Sequence, residues 1–362
     1  MEPKGVSRPL LAALCLLVGL TGVALWKTAT PGPASMVLSS APEGIMGTTC
    51  RISVVVPVGR QATAREALAA AEAELRRVEA LMSTWIDDSE VSRLNRLRAG
   101  DTMEVSRETA EVLAAARRLG RETGGGFDVT CRPLVELWRR AGRENRLPSR
   151  QAIDAALALV GWKGLRVEGR KVLKVLGGAR VDLGGIAKGY GIDRAVGALE
   201  SAGIGGGLVD VGGDLRLTGE PPGGGPWRVE ILDPAGEKVW ARLSVPFGRA
   251  VCTSGHGLRF VTIAGRRLSH IVDPRRGWPA EASVSVTVIA PSAMEADAWA
   301  TALAVEGAPG LARLDAVEGV EAMVIEKGPE GLRARLSAGF PAPEPGPGFP
   351  PWRRVAGGSV RP

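Results

Sequence analysis

The sequence predicts an α+β fold, and three observations carry that reading. Leu68, Leu75, Val78 and Leu81 recur at helical spacing through a segment from Ala64 to Met82. Short runs of β-forming residues recur along the chain, the clearest from Ser283 to Ala290. Helices and strands do not alternate as regular βαβ units, unlike the pattern of a parallel-sheet protein. With 362 residues, 45% hydrophobic and 23% charged, the chain is long enough for one large core or two modest ones.

Taken in order, Lys4 and Arg8 precede an apolar run from Leu10 to Trp26. That run is short for a membrane span and long for a signal-peptide core. Its positive flank comes first, so the bulk of the chain is expected on the exported side, in the periplasm or at the periplasmic face of the inner membrane. Either a cleaved signal or an uncleaved anchor fits residues 1–30, and an uncleaved one would touch the membrane. Cys15 follows Leu14 rather than a small residue, which argues against lipidation there. Lys27 to Pro42, rich in Pro, Ser and Ala, reads as a linker, taken as residues 31–43 between the leader and a domain over 44–337.

Within that domain Arg51 to Val58 reads as a strand. Ala64 to Met82, Glu108 to Arg121, Arg150 to Val160 and Ile186 to Ala202 read as helices. Strands are expected at Val172 to Leu176, Leu208 to Val211, Trp227 to Leu232, Ala241 to Val245 and Leu258 to Ile263. Gly223 to Gly225 marks a loop or hairpin, and the Pro/Gly-rich stretch 338–362 reads as a disordered tail. Cys50, Cys131 and Cys252 form no C-x-x-C pair, which argues against a zinc site or a disulfide framework; buried thiols are the favoured state. The net charge of +7 comes from scattered arginines, aromatic content is 4%, and no nucleic-acid motif is present. Solvated basic faces are therefore preferred to nucleic-acid binding.

Three segments carry candidate chemistry. In Val181-Asp182-Leu183-Gly184-Gly185-Ile186-Ala187-Lys188-Gly189-Tyr190, a short β-like run ends in an acid, and two glycines lead into a helix with a lysine in its first turn. The glycines allow close approach to the backbone, and the helix start suits a phosphate. Asp182 would repel that phosphate unless a cation lay between them, so the segment reads as a nucleotide–metal site; a plain strand-to-helix turn is the alternative.

In Ser269-His270-Ile271-Val272-Asp273-Pro274-Arg275-Arg276-Gly277, one of the two histidines of the chain ends a strand before a tight turn. A satisfied, half-buried imidazole is the alternative. In Met294 to Leu303, Ser292 is a plausible N-cap with Glu295 three residues on. Asp297 and Thr301 share one helix face there and offer oxygen ligands suited to Mg²⁺. A helix-dipole acid and a back-bonded threonine explain the same pair, and periodicity alone favours that explanation.

The order of these motifs resembles that of the ApbE family, the FAD:protein FMN transferases. The resemblance runs from Gly44 to Ile325. It includes Met46-Gly47-Thr48-Thr49, Leu81-Met82-Ser83-Thr84-Trp85, Asp88 to Asn95, Gly124 to Thr130 with Pro133, Leu134 and Trp138, Val209 to Asp214, Thr253-Ser254-Gly255, and the three segments above. Cys50 stands where a bulkier residue is expected; Gly126 replaces a frequent alanine and Trp85 a frequent tyrosine.

The resemblance implies one compact catalytic domain of T-fold type, with mixed sheets, packed helices and FAD in a central cleft. It implies FAD contacts from Met46, Trp85, Gly126, Phe127, Asp128, Asp182, Lys188 and Ile271. It implies Mg²⁺ held by Gly185, Asp297, Thr301 and the Ala300 carbonyl. The implied reaction moves FMN from FAD to a threonine hydroxyl of another protein, a membrane redox subunit, and releases AMP. Asp297 and Lys188 would act on the charge of the diphosphate. His270 is the candidate for the attacking proton, with His256 or a metal-bound oxygen as competitors. Asp273 either orients His270 or caps its turn. An FAD pyrophosphatase giving FMN and AMP, and a non-catalytic periplasmic FAD-binding protein, are the alternative activities.

Overall fold

The computed structural model describes residues 35–234, 238–255, 260–328, 331–347, 353–355 and 359–361. The expected leader lies outside them, as does His256. In chain order the first elements are β1 (Ser35–Ser40), β2 (Cys50–Pro57), α1 (Gln61–Met82), α2 (Glu90–Arg96), β3 (Thr102–Glu104), α3 (Arg107–Glu122), α4 (Arg132–Glu144) and α5 (Arg150–Leu157). Next come β4 (Leu165–Glu168), β5 (Lys171–Lys174), α6 (Ala187–Ser201), β6 (Gly206–Val211), β7 (Asp214–Gly219), β8 (Trp227–Leu232) and β9 (Val239–Val245). The remainder are β10 (Ala250–Gly255), β11 (Phe260–Ile263), β12 (Arg266–Ser269), β13 (Ser285–Ala290), α7 (Ala293–Glu306), β14 (Glu321–Gly328), β15 (Gly331–Leu336), β16 (Glu344–Pro345), β17 (Arg353–Val355) and β18 (Ser359–Arg361). Among the described residues no helix is long and apolar enough to cross a membrane.

The frame is a ten-stranded antiparallel sheet in the order β1-β2-β6-β7-β10-β13-β14-β15-β18-β17. Strand alternation splits its side chains between two cores. Ala250, Cys252, Val286, Val288, Ala322 and Val324 face the core shared with α1, α6 and α7, whereas Val251, Ile289, Met323 and Ile325 face a second core. That second core is closed by the small sheet β16-β9-β8 through Val229, Ile231, Trp240 and Leu243. Both faces of the frame are thus covered, which is why β13 is buried at every position and shows no polar alternation. A third cluster packs α4 and α5 on the β11–β12 hairpin, with Trp138 edge-on to Trp278.

Three expectations are corrected. The segment expected to be a linker contains β1, which pairs with β2 over its whole length and turns Met36 and Leu38 toward the core. The tail expected to lack order contributes β16 to β9 and β18 to β15. The strand expected to contain His270 and Ile271 ends at Ser269.

The helices α6 and α7 cross at closest range where Gly189 meets the start of α7. A Cβ at Gly189 would collide with the Ala293 carbonyl and lie 2.7 Å from Met294 N. The start of α7 is fixed there by Asp193 of α6, whose carboxylate accepts from Ala293 N at 2.8 Å and Met294 N at 2.9 Å. Ser292 adds an N-cap bond from Glu295 N at 3.2 Å. We expect Gly189→Ala to force the two helices apart and to lower stability by about 1–3 kcal/mol, the usual cost of overpacking. Urea denaturation checks this, and a neutral result would mean that the crossing is not tight.

Candidate active site

Three stretches distant in sequence meet at the start of α6. Val181 is clamped from α2: Asn95 Nδ2 donates to the Val181 carbonyl at 2.8 Å, and Val181 N donates to Asn95 Oδ1 at 2.7 Å. Asp182 N then donates to the Val129 carbonyl at 2.7 Å. The Gly184–Gly185 turn is therefore held between α2 and the segment that carries Gly126, Phe127 and Asp128. Asp182 closes the turn by accepting from Gly184 N at 3.0 Å, and its other oxygen accepts from Arg132 at 3.3 Å.

Gly185 faces α7. A Cβ there would stand 2.9 Å from Thr301 Oγ1 and 3.3 Å from the Phe127 ring, so only glycine leaves this space open. One helical turn before Thr301, the Asp297 carboxylate is 3% exposed and accepts from Gly189 N at 3.1 Å. The amino-terminal turn of α6 thus points an N–H at a buried carboxylate.

Beside it Lys188 forms a buried ion pair with Asp214, whose Oδ1 also accepts from Thr253 N at 2.8 Å. Burial opposes the lysine charge, but Asp214 first and Asp297 second hold its pKa above the usual lysine range. Burial raises Asp128 above the usual carboxylate range, against two bonds from Thr130 that oppose the rise. Asp210 is raised for the same reason, while Gly213 N opposes the shift.

These groups line a cavity of about 630 Å³. Gly126, Phe127, Asp128, Asp182, Gly185, Lys188, His270, Ile271, Asp297 and Thr301 all reach it. Met46, Trp85 and Ala300 do not form its wall. Met46, at a positive φ of 48°, turns its methyl toward Gly191 of α6 and packs on the main core. Trp85 is 80% exposed and stacks under the guanidinium of Arg139, which is itself part of the wall. Ala300 is wholly buried in α7.

His270 sits on an exposed turn at the cavity. Asp273 caps that turn by accepting from Arg275 N at 2.9 Å, and it pairs with the Arg275 guanidinium. Arg275 continues to Glu306 at the end of α7, which also binds Arg313. Of the two roles open to Asp273, the turn role is the one these bonds fill.

The wall is rich in acids: Asp128, Asp182, Asp210, Glu230, Asp233 and Asp297, against Lys188 and Arg139. A diphosphate entering here needs a cation. Among the described residues no cluster of three or more His, Cys, Asp or Glu side chains has metal-binding geometry. The donors at the Gly185–Thr301 gap are instead a carboxylate, a hydroxyl and main-chain carbonyls. That set fits Mg²⁺, which takes few protein ligands beside phosphate oxygens.

Cys50, Cys131 and Cys252 are free thiols. Burial pushes Cys50 up to about 11 and Cys131 and Cys252 upward as well, which keeps all three protonated at neutral pH.

Asn95, Asp193, Asp214 and Gly189 were not singled out by sequence reasoning. The available signal was strongest for Asp214. Gly212-Gly213 is a hairpin tip with φ of 65° and 88°, and strand pairing then sets Val211 opposite Asp214.

Asp214→Asn would leave Lys188 without its main anionic partner. We expect a loss of about 3 kcal/mol at neutral pH, as for a broken buried pair. The folded pKa of Lys188 is raised, so the contribution is complete below the unfolded value near 10.4 and is lost as pH rises through the folded value. The stability gap between wild type and variant should therefore be flat through neutral pH and narrow only in strong alkali. Denaturation at several pH values checks it; a gap that closes below pH 9 would contradict the assignment.

The chain is similar in sequence and in fold to known proteins. The sequence model of the ApbE family matches residues 46–324. The FAD:protein FMN transferase of Salmonella typhimurium is 36% identical over 338 residues, covering 91% of this chain and 95% of that protein. That of Escherichia coli K12 is 34% identical over 304 residues, covering 82% and 86%. Among solved structures, the flavin transferase ApbE from Vibrio cholerae superposes with a TM-score of 0.73 at 33% identity, over 85% of this chain and 98% of that one. The apo form of the Pseudomonas stutzeri flavinyl transferase ApbE gives 0.72 at 30% identity, over 84% and 96%.

Proposed function

This chain belongs to the ApbE family, and from that membership we infer that it is an FAD:protein FMN transferase, moving FMN from FAD onto another protein. We further propose that the acceptor group is a threonine hydroxyl and that AMP leaves. The observation that carries the proposal is the meeting of Gly185, Asp297 and Thr301 at the α6–α7 crossing, with Lys188 and His270 in the same cavity.

In the proposed step the acceptor Oγ attacks the phosphorus of the FMN half of FAD. A P–O bond forms, the bond to the bridging oxygen breaks, and AMP departs with that oxygen. The hydroxyl proton passes to the His270 imidazole and then to solvent. Such a transfer needs alignment and charge neutralisation more than covalent help from the enzyme. Lys188, held charged by Asp214, lies where it can face a diphosphate oxygen. Gly126, Phe127, Asp128, Asp182 and Ile271 are the proposed walls for the dinucleotide. Asp297, Thr301 and the Gly185 carbonyl are the proposed holders of Mg²⁺; Ala300, buried in α7 and outside the cavity wall, is left out. The chemistry a bound Mg²⁺ supplies there is neutralisation of diphosphate charge. The acidic wall supports that need.

Export to the periplasm, with a membrane redox subunit as acceptor, is the accompanying proposal; it is supported by the apolar run of residues 10–26 behind two basic residues.

Incubation with FAD, Mg²⁺ and a threonine-bearing acceptor separates the possible activities. Covalent flavin with AMP supports transfer, free FMN with AMP indicates hydrolysis, and intact FAD indicates binding alone. We expect Asp297→Ala and Thr301→Ala to lower AMP release about 10- to 100-fold, as for lost ligands or their supports. His270→Ala should lower it about 10²- to 10⁴-fold with FAD affinity retained. Near-normal AMP release by Asp297→Ala at limiting Mg²⁺ would remove it from the metal site.

A further inference from the structure

Among the described residues, the order β16-β9-β8 leaves β8 with a single neighbour. Among the described residues, no backbone hydrogen bond outside the pairing with β9 involves residues 228–232. Glu230, Ile231, Leu232, Asp233 and Pro234 all line the cavity. Consecutive side chains of a strand point to opposite faces, and here Ile231 is buried while Glu230 and Leu232 are exposed. A space that touches both sets runs along the strand edge, not over one face. The open edge of β8 is therefore part of the cavity wall, while the groups proposed to hold the dinucleotide and the cation belong to other elements.

We propose that the acceptor protein presents its hydroxyl-bearing segment as an extended strand that adds to the edge of β8 along Glu230–Leu232. The inference rests on the transferase reading above and names how its protein substrate is held. Main-chain bonds to a free edge give affinity without demanding a particular side-chain sequence, while alternate side chains point to opposite sides. A segment registered this way turns one hydroxyl toward the cavity and its neighbours away.

The probe is a library of peptides about twelve residues long with a fixed central threonine, offered to the full chain with FAD and Mg²⁺ and screened for covalent flavin. The best sequence is then N-methylated one backbone position at a time. We expect an alternating pattern: methylation at every second position raises the peptide KM about tenfold, the loss of one hydrogen bond, and the positions between stay within about twofold, with the FAD KM unchanged. Hydrogen exchange provides the second readout. The peptide should slow outward amides of residues 228–232, and FAD alone should not. A flat methylation scan, or protection of those amides by FAD alone, overturns the docking while leaving transfer intact. A library with no flavinylated member overturns the transferase reading itself, and the docking with it.

Discussion

The site depends on one close approach, the crossing of α6 and α7 at Gly189. Because that residue has no side chain, the first turn of α7 lies against the first turn of α6, and the Gly189 N–H reaches Asp297. Once that distance is set, Thr301, four residues on, falls opposite Gly185. Asp193 secures the same junction from the other side by capping α7, and it is itself held by Arg216 at 2.7 Å. A helix start is a favourable place for a carboxylate. The contact that positions the acid thus also satisfies backbone groups that would otherwise be buried without partners.

Electrostatics follow from this packing. Burial alone would strip Lys188 of its proton, and the surrounding aspartates reverse that tendency. Asp128 and Asp210 in turn are pushed toward their neutral forms by burial, against the backbone donors Thr130 N and Gly213 N. The pocket is therefore poorly suited to a bare anion and well suited to an anion that arrives with a divalent metal. The thiols take no part: all three are raised, and none has the electropositive surroundings that make cysteine a nucleophile.

Much of this was legible in the chain before folding was considered. The amphipathic period of α1, the apolar run of β13 and the cap at Ser292 are local signals, and the elements follow them closely. The helical spacing of Asp297 and Thr301 is local too, and both reach one cavity. What stayed hidden was contact between distant segments. Asn95 holds Val181 across 86 positions, and Gly189 meets Asp297 across 108; no period or turn rule reports such pairs. β1 was missed because its serines, between Pro33 and Pro42, look like a spacer, although pairing with β2 requires only that Met36 and Leu38 alternate. Met46 and Trp85 were expected at the dinucleotide; the fold turns the first toward the core and leaves the second outside the cavity wall.

The strand order carries one more implication. The frame sets its strands nearly in chain order, with β2 beside β6 and β10 beside β13. Asp297 and Thr301, proposed to bind the metal together with Gly185, sit on α7, after six of the ten strands of the frame. A ribosome that has delivered the first two hundred and fifty or so positions has made the glycine turn and the lysine, but not their counterparts. A polypeptide that stops before α7 therefore lacks the carboxylate and the hydroxyl proposed to hold the metal.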